Sequence, residues 1–319
     1  MNFNVIGVGE VLWDLLLTGP QLGGAPANFA YHAHALGSQA QVITRVGNDD
    51  YGREIIRRFH EMGLPETGVQ VDKTAPTGIA KVELSGDGLA HFTIQENVAW
   101  DYIALTPEAL VAASEAHAIC FGSLAQRSEP SRNTIQQLVA AAPPDALRVF
   151  DINLRQQFYS RDVIEQSLQL ANVLKLNDDE LPTLTAMFNL TSSAEDHIER
   201  LAQMFGLRVV ALTRGANGSL LYQEIEEVGQ FCGGGAPPRR DGAEPGPHTR
   251  WSDCPSRPVT VVDTVGAGDS FTAALVLGLL RKMDLDEINT IANEVARYVC
   301  SQPGATPALP TEFARRFSI

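Results

Sequence analysis

Short apolar runs recur along this chain, and most are followed by a stretch of helical periodicity. Residues 3–9 form the first, ending at Gly7-Val8-Gly9, and residues 42–46, 118–124, 147–150, 173–176 and 209–212 repeat the form. Strands that alternate with helices in this way build a parallel sheet covered by helices on both faces. Ligands bind such sheets at the carboxyl ends of the strands. Residues 78–94 follow a different rule. Ala80, Val82 and Leu84 alternate with Lys81 and Glu83, Ser85-Gly86-Asp87-Gly88 turns the chain, and Ala90, Phe92 and Ile94 alternate on the return. This predicts a β-hairpin with one apolar face, which must cover something or pair with a partner.

Toward the end of the chain, Val259-Thr260-Val261-Val262 predicts a short buried strand, and residues 271–280 are almost wholly apolar, as in a helix buried on most faces. Residues 288–300 are amphipathic. Between them and the earlier strands, residues 226–257 break the pattern with Gly233-Gly234-Gly235, Pro237-Pro238 and Pro245-Gly246-Pro247. That composition predicts a mobile insertion.

Composition narrows the function classes. The 319 residues are 44% hydrophobic, enough for a full core, and are read here as a single domain, 1–319. The net charge of −14 argues against nucleic acid or an anionic membrane as partner. No stretch approaches a membrane span and Met1-Asn2-Phe3-Asn4 lacks a signal-peptide start, so a cytoplasmic protein is expected. Cys120, Cys232, Cys254 and Cys300 have neither zinc-site nor disulfide-framework spacing.

The chemistry concentrates where the 259–262 run meets the apolar helix. Gly266, Ala267 and Gly268 leave a bare backbone whose N–H groups would point at a phosphate, aided by the helix dipole. Asp269 follows in the first helical turn. An acid beside an anion site suggests a general base, accepting a substrate hydroxyl's proton while that oxygen attacks the γ-phosphoryl of ATP. The alternative is an acid that merely favours the helix N-terminus. Gly23-Gly24-Ala25-Pro26-Ala27-Asn28 is a second glycine turn, with Pro26 opening a helix to about Leu36. Asp14 is a lone acid among Trp13, Leu15, Leu16 and Leu17, either a turn residue or a ligand. A dinucleotide-binding reading of Gly7-Val8-Gly9 fails because Leu12 stands where the third glycine belongs.

The string from Asp263 to Ala274 resembles the second signature of the PfkB carbohydrate kinases, the ribokinase-like family. Gly23 to Ala30 resembles the first signature, G-G-x-P-x-N-x-A, and the two stand in the family's order. Gly47, Asp49 and Gly52 are similar to its G-x-D-x-x-G. Asp151, Asn153 and Arg155 resemble the D-x-N-x-R of the fructokinase and 2-keto-3-deoxygluconate kinase branches. Asn177 and Glu180 resemble N-x-x-E, and Thr213, Gly215 and Gly218 resemble T-x-G-x-x-G.

The resemblance implies a three-layer α/β/α sandwich with a mostly parallel sheet and a small β-sheet lid, built near residues 10–22 and 77–100. It implies an ATP-dependent sugar kinase, with fructose converted to fructose 6-phosphate as the first expectation. The alternatives are a 2-keto-3-deoxygluconate kinase or another PfkB kinase acting on a sugar or nucleoside. From other classes stand a catalytically silent sugar- or nucleotide-binding regulator and a nicotinamide enzyme.

By the same resemblance, Asp269 with Gly266, Ala267 and Gly268 carries catalysis, and Asp14, Gly24, Asn28 and Arg155 hold the sugar. Asn177, Thr213, Gly215, Gly218, Gly268 and Asn293 contact ATP. Glu180 helps hold Mg2+, and Asp263, with the Pro303-Gly304-Ala305 turn, contributes to a monovalent-cation (K+) site. The implied partners are a small-molecule sugar and ATP, with a homodimer through the lid as a candidate assembly. Residues 226–257 depart from the family, whose members cross this interval in fewer residues.

Overall fold

A computed structural model of the chain describes residues 2–16, 19–84, 90–225 and 248–318. Its strands are β1 (Asn4–Val8), β2 (Leu12–Leu16), β3 (Gly19–Gly23), β4 (Gln39–Gly47), β5 (Val69–Asp72), β6 (Gly78–Leu84), β7 (Ala90–Ile94), β8 (Ala118–Phe121), β9 (Leu147–Asp151), β10 (Val173–Asn177), β11 (Val209–Thr213), β12 (Ser219–Ile225) and β13 (His248–Cys254). Its α-helices are α1 (Ala25–Ala35), α2 (Asp50–Glu61), α3 (Pro107–Ser114), α4 (Glu129–Ala141), α5 (Arg161–Leu170), α6 (Leu181–Phe188), α7 (Ala194–Phe205), α8 (Ala267–Leu280), α9 (Leu285–Cys300) and α10 (Thr311–Arg316).

Nine strands form one sheet in the order β13-β12-β11-β10-β9-β8-β1-β4-β5, in which only the β11–β12 and β12–β13 pairings are antiparallel. The central strands are apolar in succession because both faces are covered. Ile6, Ile119, Phe150, Leu174 and Val210 pack in one core; Val5, Cys120, Val149, Val173 and Ala211 pack in the other, with residues of α1, α8 and α9. Phe121 and Phe150, on adjacent strands, stack with ring centroids 5.2 Å apart. Helix α8 is buried from Ser270 through Gly278, which is why its sequence carries no polar stripe.

The four remaining strands form a separate small sheet in the order β3-β2-β6-β7. The alternation in residues 78–94 gives the expected hairpin, with Ala80 opposite Ile94, Val82 opposite Phe92 and Leu84 opposite Ala90. Its turn at 85–89 lies outside the described residues. Ala80 and Ile94, at one end of that face, are buried against the main core.

Two expectations are corrected. Val259-Thr260-Val261-Val262 is not a buried strand: Val261 and Val262 are 57% and 59% exposed, and no strand is assigned there. The β-forming composition is overridden by tertiary contacts: this segment donates from Val262 N–H and Asp263 N–H to the Cys300 carbonyl at the end of α9. The expected insertion at 226–257 also ends earlier, since His248–Cys254 is β13, paired residue for residue with β12. Residues 226–247, including Cys232, lie outside the described residues; Cys120, Cys254 and Cys300 are free thiols. Among the described residues no helix is long and apolar enough to cross a membrane.

Candidate active site

The carboxyl ends of β1, β9 and β10 meet the N-terminal parts of α1 and α8, with Gly9 against Pro26, Asp151 bonded to Thr272 and Lys175 against Gly268. Gly266 sits at φ 79° just before α8, and a Cβ there would stand 2.2 Å from the Ala305 carbonyl oxygen, so glycine is required for both conformation and space. The buried His32 ring lies 2.9 Å from that same oxygen and is held neutral by burial, with its pKa lowered to about 4. His32 is thus structural: it fixes the turn against which Gly266 packs. Within the first turn of α8 the Ala267 N–H makes only a long 3.4 Å contact with the Thr264 carbonyl, leaving the usual free donors of a helix start.

Asp269 stands in this turn, and its Oδ2 accepts from the Nδ2 of Asn28 at 2.8 Å. Asn28 reaches it from the first turn of α1, whose N-cap is Gly24 and whose opening carries Pro26. Two glycine turns that are far apart in sequence are therefore joined through one hydrogen bond. Burial raises the Asp269 pKa to about 6, reinforced by the charge of Asp151 and opposed by Asn28, Lys175 and Arg155.

Asp14 lies on β2 opposite Gln21 of β3 and Ala80 of β6. Its pKa is also raised to about 6, mainly by burial, with Arg155 opposing and Asp263 adding to the rise. Arg155 is exposed on the loop after β9, and its charge is felt by Asp14, Asp269 and Glu10 alike. Asp14, Asn28, Arg155 and Asp269 thus form one electrostatic group.

Several of the residues expected to contact ATP form a second group. Asn177 Oδ1 accepts from the Glu180 N–H at 2.8 Å, and Glu180 Oε2 accepts from the Asn177 N–H at 2.9 Å. The other Glu180 oxygen accepts from the Leu154 N–H at 2.9 Å, tying this turn to the loop that bears Arg155. Thr213, at the end of β11, pairs with Asn177 across the sheet. Arg214 turns away to an ion pair with Asp253. Gly215 is exposed, whereas Gly218 is buried where the turn closes on β13. Asn293 on α9 donates to Ser219 Oγ at 2.6 Å and lines a cavity of about 230 Å3 with Cys254, Arg257 and Arg297. Asp263 accepts from the Val265 and Gly304 N–H groups, both at 3.0 Å, which joins it to the Pro303-Gly304-Ala305 turn.

Among the described residues no three His, Cys, Asp or Glu side chains gather as a metal site. The donor set at Glu180 is one buried carboxylate, each oxygen of which retains a lone pair after its backbone bond. That suits Mg2+, which keeps several waters and takes few protein ligands.

Two residues of this region, Glu10 and Lys175, were not singled out in the sequence. Glu10 follows β1 and is 1% exposed; its pKa is raised to about 7 by burial, and its Oε2 has no hydrogen-bond partner. Lys175 and Asp151 form a buried ion pair beneath α8. The available signal was Lys175 itself, a lone cation inside an apolar strand.

Residues 19–312 match the family described as pfkB family carbohydrate kinase. The fructokinase of Klebsiella pneumoniae is 29% identical over 329 residues, covering 97% of each chain. Fructokinase-1 of Oryza sativa subsp. japonica is 28% identical, covering 97% of this chain and 95% of its own. The solved structure of an uncharacterized sugar kinase, PH1459, from Pyrococcus horikoshii superposes with a TM-score of 0.78 at 27% identity, covering 98% and 99% of the two chains.

Proposed function

This chain belongs to the pfkB family of carbohydrate kinases, and we propose that within it the protein transfers the γ-phosphoryl of ATP to the 6-hydroxyl of fructose. The observation that carries this reading is the charge around Asp269. Glu10, Asp14, Asp151 and Asp269 are acids, and against them stand Lys175, already paired with Asp151, and the exposed Arg155. A neutral sugar asks only for hydroxyl hydrogen bonds in such surroundings. A sugar acid would bring a carboxylate among three uncompensated acids and one exposed cation, which is unfavourable. The fructokinases of Klebsiella pneumoniae and Oryza sativa, similar along nearly the whole chain, support the same choice.

Asp14, Gly24 and Asn28 hold the sugar, a carboxylate and an amide being suited to a polyol because they accept and donate several bonds at once. Asp269 accepts the proton of the 6-hydroxyl as its oxygen attacks the γ-phosphorus. The bond from that phosphorus to the β–γ bridging oxygen breaks, and ADP leaves. The N–H groups of Gly266, Ala267 and Gly268 face the charge that develops on the phosphoryl oxygens. Thr213, Gly215, Gly218 and Asn293 contact ATP. Glu180, held by Asn177, is the candidate ligand for Mg2+, which when bound neutralises phosphate charge. Asp263 is the candidate for a monovalent cation such as K+. The small sheet closes over the sugar and excludes water that would compete as acceptor.

The test is ADP release with ATP, magnesium and a panel of neutral sugars, nucleosides and sugar acids, followed by identification of the product. Fructose is expected to turn over best and to be phosphorylated at its 6-hydroxyl. A sugar acid or a nucleoside at the head of the panel overturns the assignment.

A further inference from the structure

Beneath the first turn of α8 lies a charged pair for which the reading above has no use. Lys175 on β10 and Asp151 on β9 are direct register partners in the parallel sheet, with Nζ and Oδ1 3.0 Å apart. They are only 6% and 4% exposed. The other oxygen of Asp151 accepts from the Thr272 hydroxyl at 2.9 Å, and that hydroxyl also lies 3.0 Å from the Gly268 carbonyl. A Cβ built on Gly268 would stand 2.9 Å from Lys175 Nζ, so the ammonium abuts the very backbone that faces the phosphoryl group. Burying two charges is expensive, and an apolar pair of similar volume commonly packs as well or better. Packing alone therefore gives no reason for this pair under this turn.

We propose that Lys175 and Asp151 are positioning residues for phosphoryl transfer, a buried pair of opposed charges that sets the pH at which Asp269 becomes a competent base. The inference rests on Asp269 being that base. Asp151 pushes the Asp269 carboxyl toward its neutral form and Lys175 pushes it toward the anion, so the two act in opposite directions on one group. The remaining groups around Asp269 are Asn28 from α1, Arg155 from the loop after β9, and Glu10 after β1. Cys120 on β8 senses the same charges, but burial keeps its thiol protonated.

The experiment compares kcat/KM for the sugar against pH, at saturating magnesium ATP, in the parent, Lys175→Met and Asp151→Asn. The acid limb is expected to move up in Lys175→Met and down in Asp151→Asn, each by about half a unit or more. A pair that serves only the fold would lower activity equally at all pH and leave both limbs where they were; that result overturns the inference. Asp151→Asn keeps the network bonded, because its amide oxygen accepts from Lys175 and its amide nitrogen donates to Thr272. If Lys175→Met fails to fold, the Asp151→Asn profile decides alone: a lowered limb supports the inference and an unmoved one refutes it. Asp269→Asn separates the two readings. Turnover retained in Asp269→Asn would refute the base itself, whereas a dead Asp269→Asn with unmoved limbs in the pair variants would refute only the role of the pair.

Discussion

The amide of Asn28 donates to the carboxylate of Asp269 at 2.8 Å across 241 positions of sequence. This bond joins the N-terminal turns of α1 and α8, and it is one of the contacts that oppose the upward shift of the Asp269 pKa. Replacing Asn28 by Ala removes that opposition. The acid limb of the kcat/KM profile should move to higher pH, and the KM for sugar should rise if Asn28 holds the substrate as proposed. A limb that stays in place, measured over pH 5 to about 8, would separate Asn28 from the base.

Asp269→Asn should fold, bind ATP and sugar, and lose about 10²–10⁴-fold in kcat, the usual contribution of a general base. The same substitution should stabilise the protein at neutral pH. The folded pKa of Asp269, about 6, lies above its ordinary value of 3.8. Its neutral form is thus favoured by folding, and the associated stability is fully present below pH 3.8 and lost as pH rises through about 6. Asn never ionises, so the variant should gain on the order of 2 kcal/mol at pH 7, and little at pH 4. Urea denaturation at the two pH values measures the difference. A variant less stable than the parent at pH 7 would show that Asp269 is not penalised by burial.

Gly266→Ala should be among the most damaging single-methyl additions. It forces a side chain into a left-handed backbone and against the Ala305 carbonyl, a strain of at least about 1–3 kcal/mol before any clash is relieved. A lowered melting temperature with lost turnover is expected. A fully active, fully stable Gly266→Ala would contradict the geometry of this turn.

Replacing residues 226–247 by a short Gly-Ser turn should leave fold and turnover intact. The replacement is permitted because β12 and β13 are antiparallel neighbours with Ile225 directly opposite His248, so the two ends already stand at hairpin distance. Circular dichroism and ADP release on the shortened protein check this. Failure to fold would make the excised span structural.

Much of this site was legible because backbone chemistry leaves marks in sequence. The glycines at 23–24, 266 and 268, and Pro26 at a helix start, are residue types that few other conformations demand. The hairpin at 78–94 was legible in its alternation, since the period of two assigns faces directly. Val259 to Val262 misled for the opposite reason. Its composition suits a strand, but its last N–H groups go to the carbonyl at the end of α9, a tertiary contact that composition does not reveal. The pairing of Lys175 with Asp151 was hidden: Lys175 was passed over although it is a lone cation in an apolar strand, Asp151 was read only as part of its motif, and only the parallel register places the two opposite one another. Glu10 stayed silent as well, since nothing local in the sequence tells a buried acid from a turn residue.

The most direct test of the central claim is sugar preference at saturating ATP and magnesium, at a pH of about 8, where Asp269 and Asp14 are ionised. Fructose and 2-keto-3-deoxygluconate are compared side by side in the parent and in Asp14→Ala. Fructose should lead in kcat/KM by at least about tenfold, which needs only roughly 1.4 kcal/mol of differential transition-state binding. Asp14→Ala should lose most of that turnover as the carboxylate's bonds to sugar hydroxyls disappear. Preference for the sugar acid, or an Asp14→Ala enzyme as good as the parent, would contradict the account.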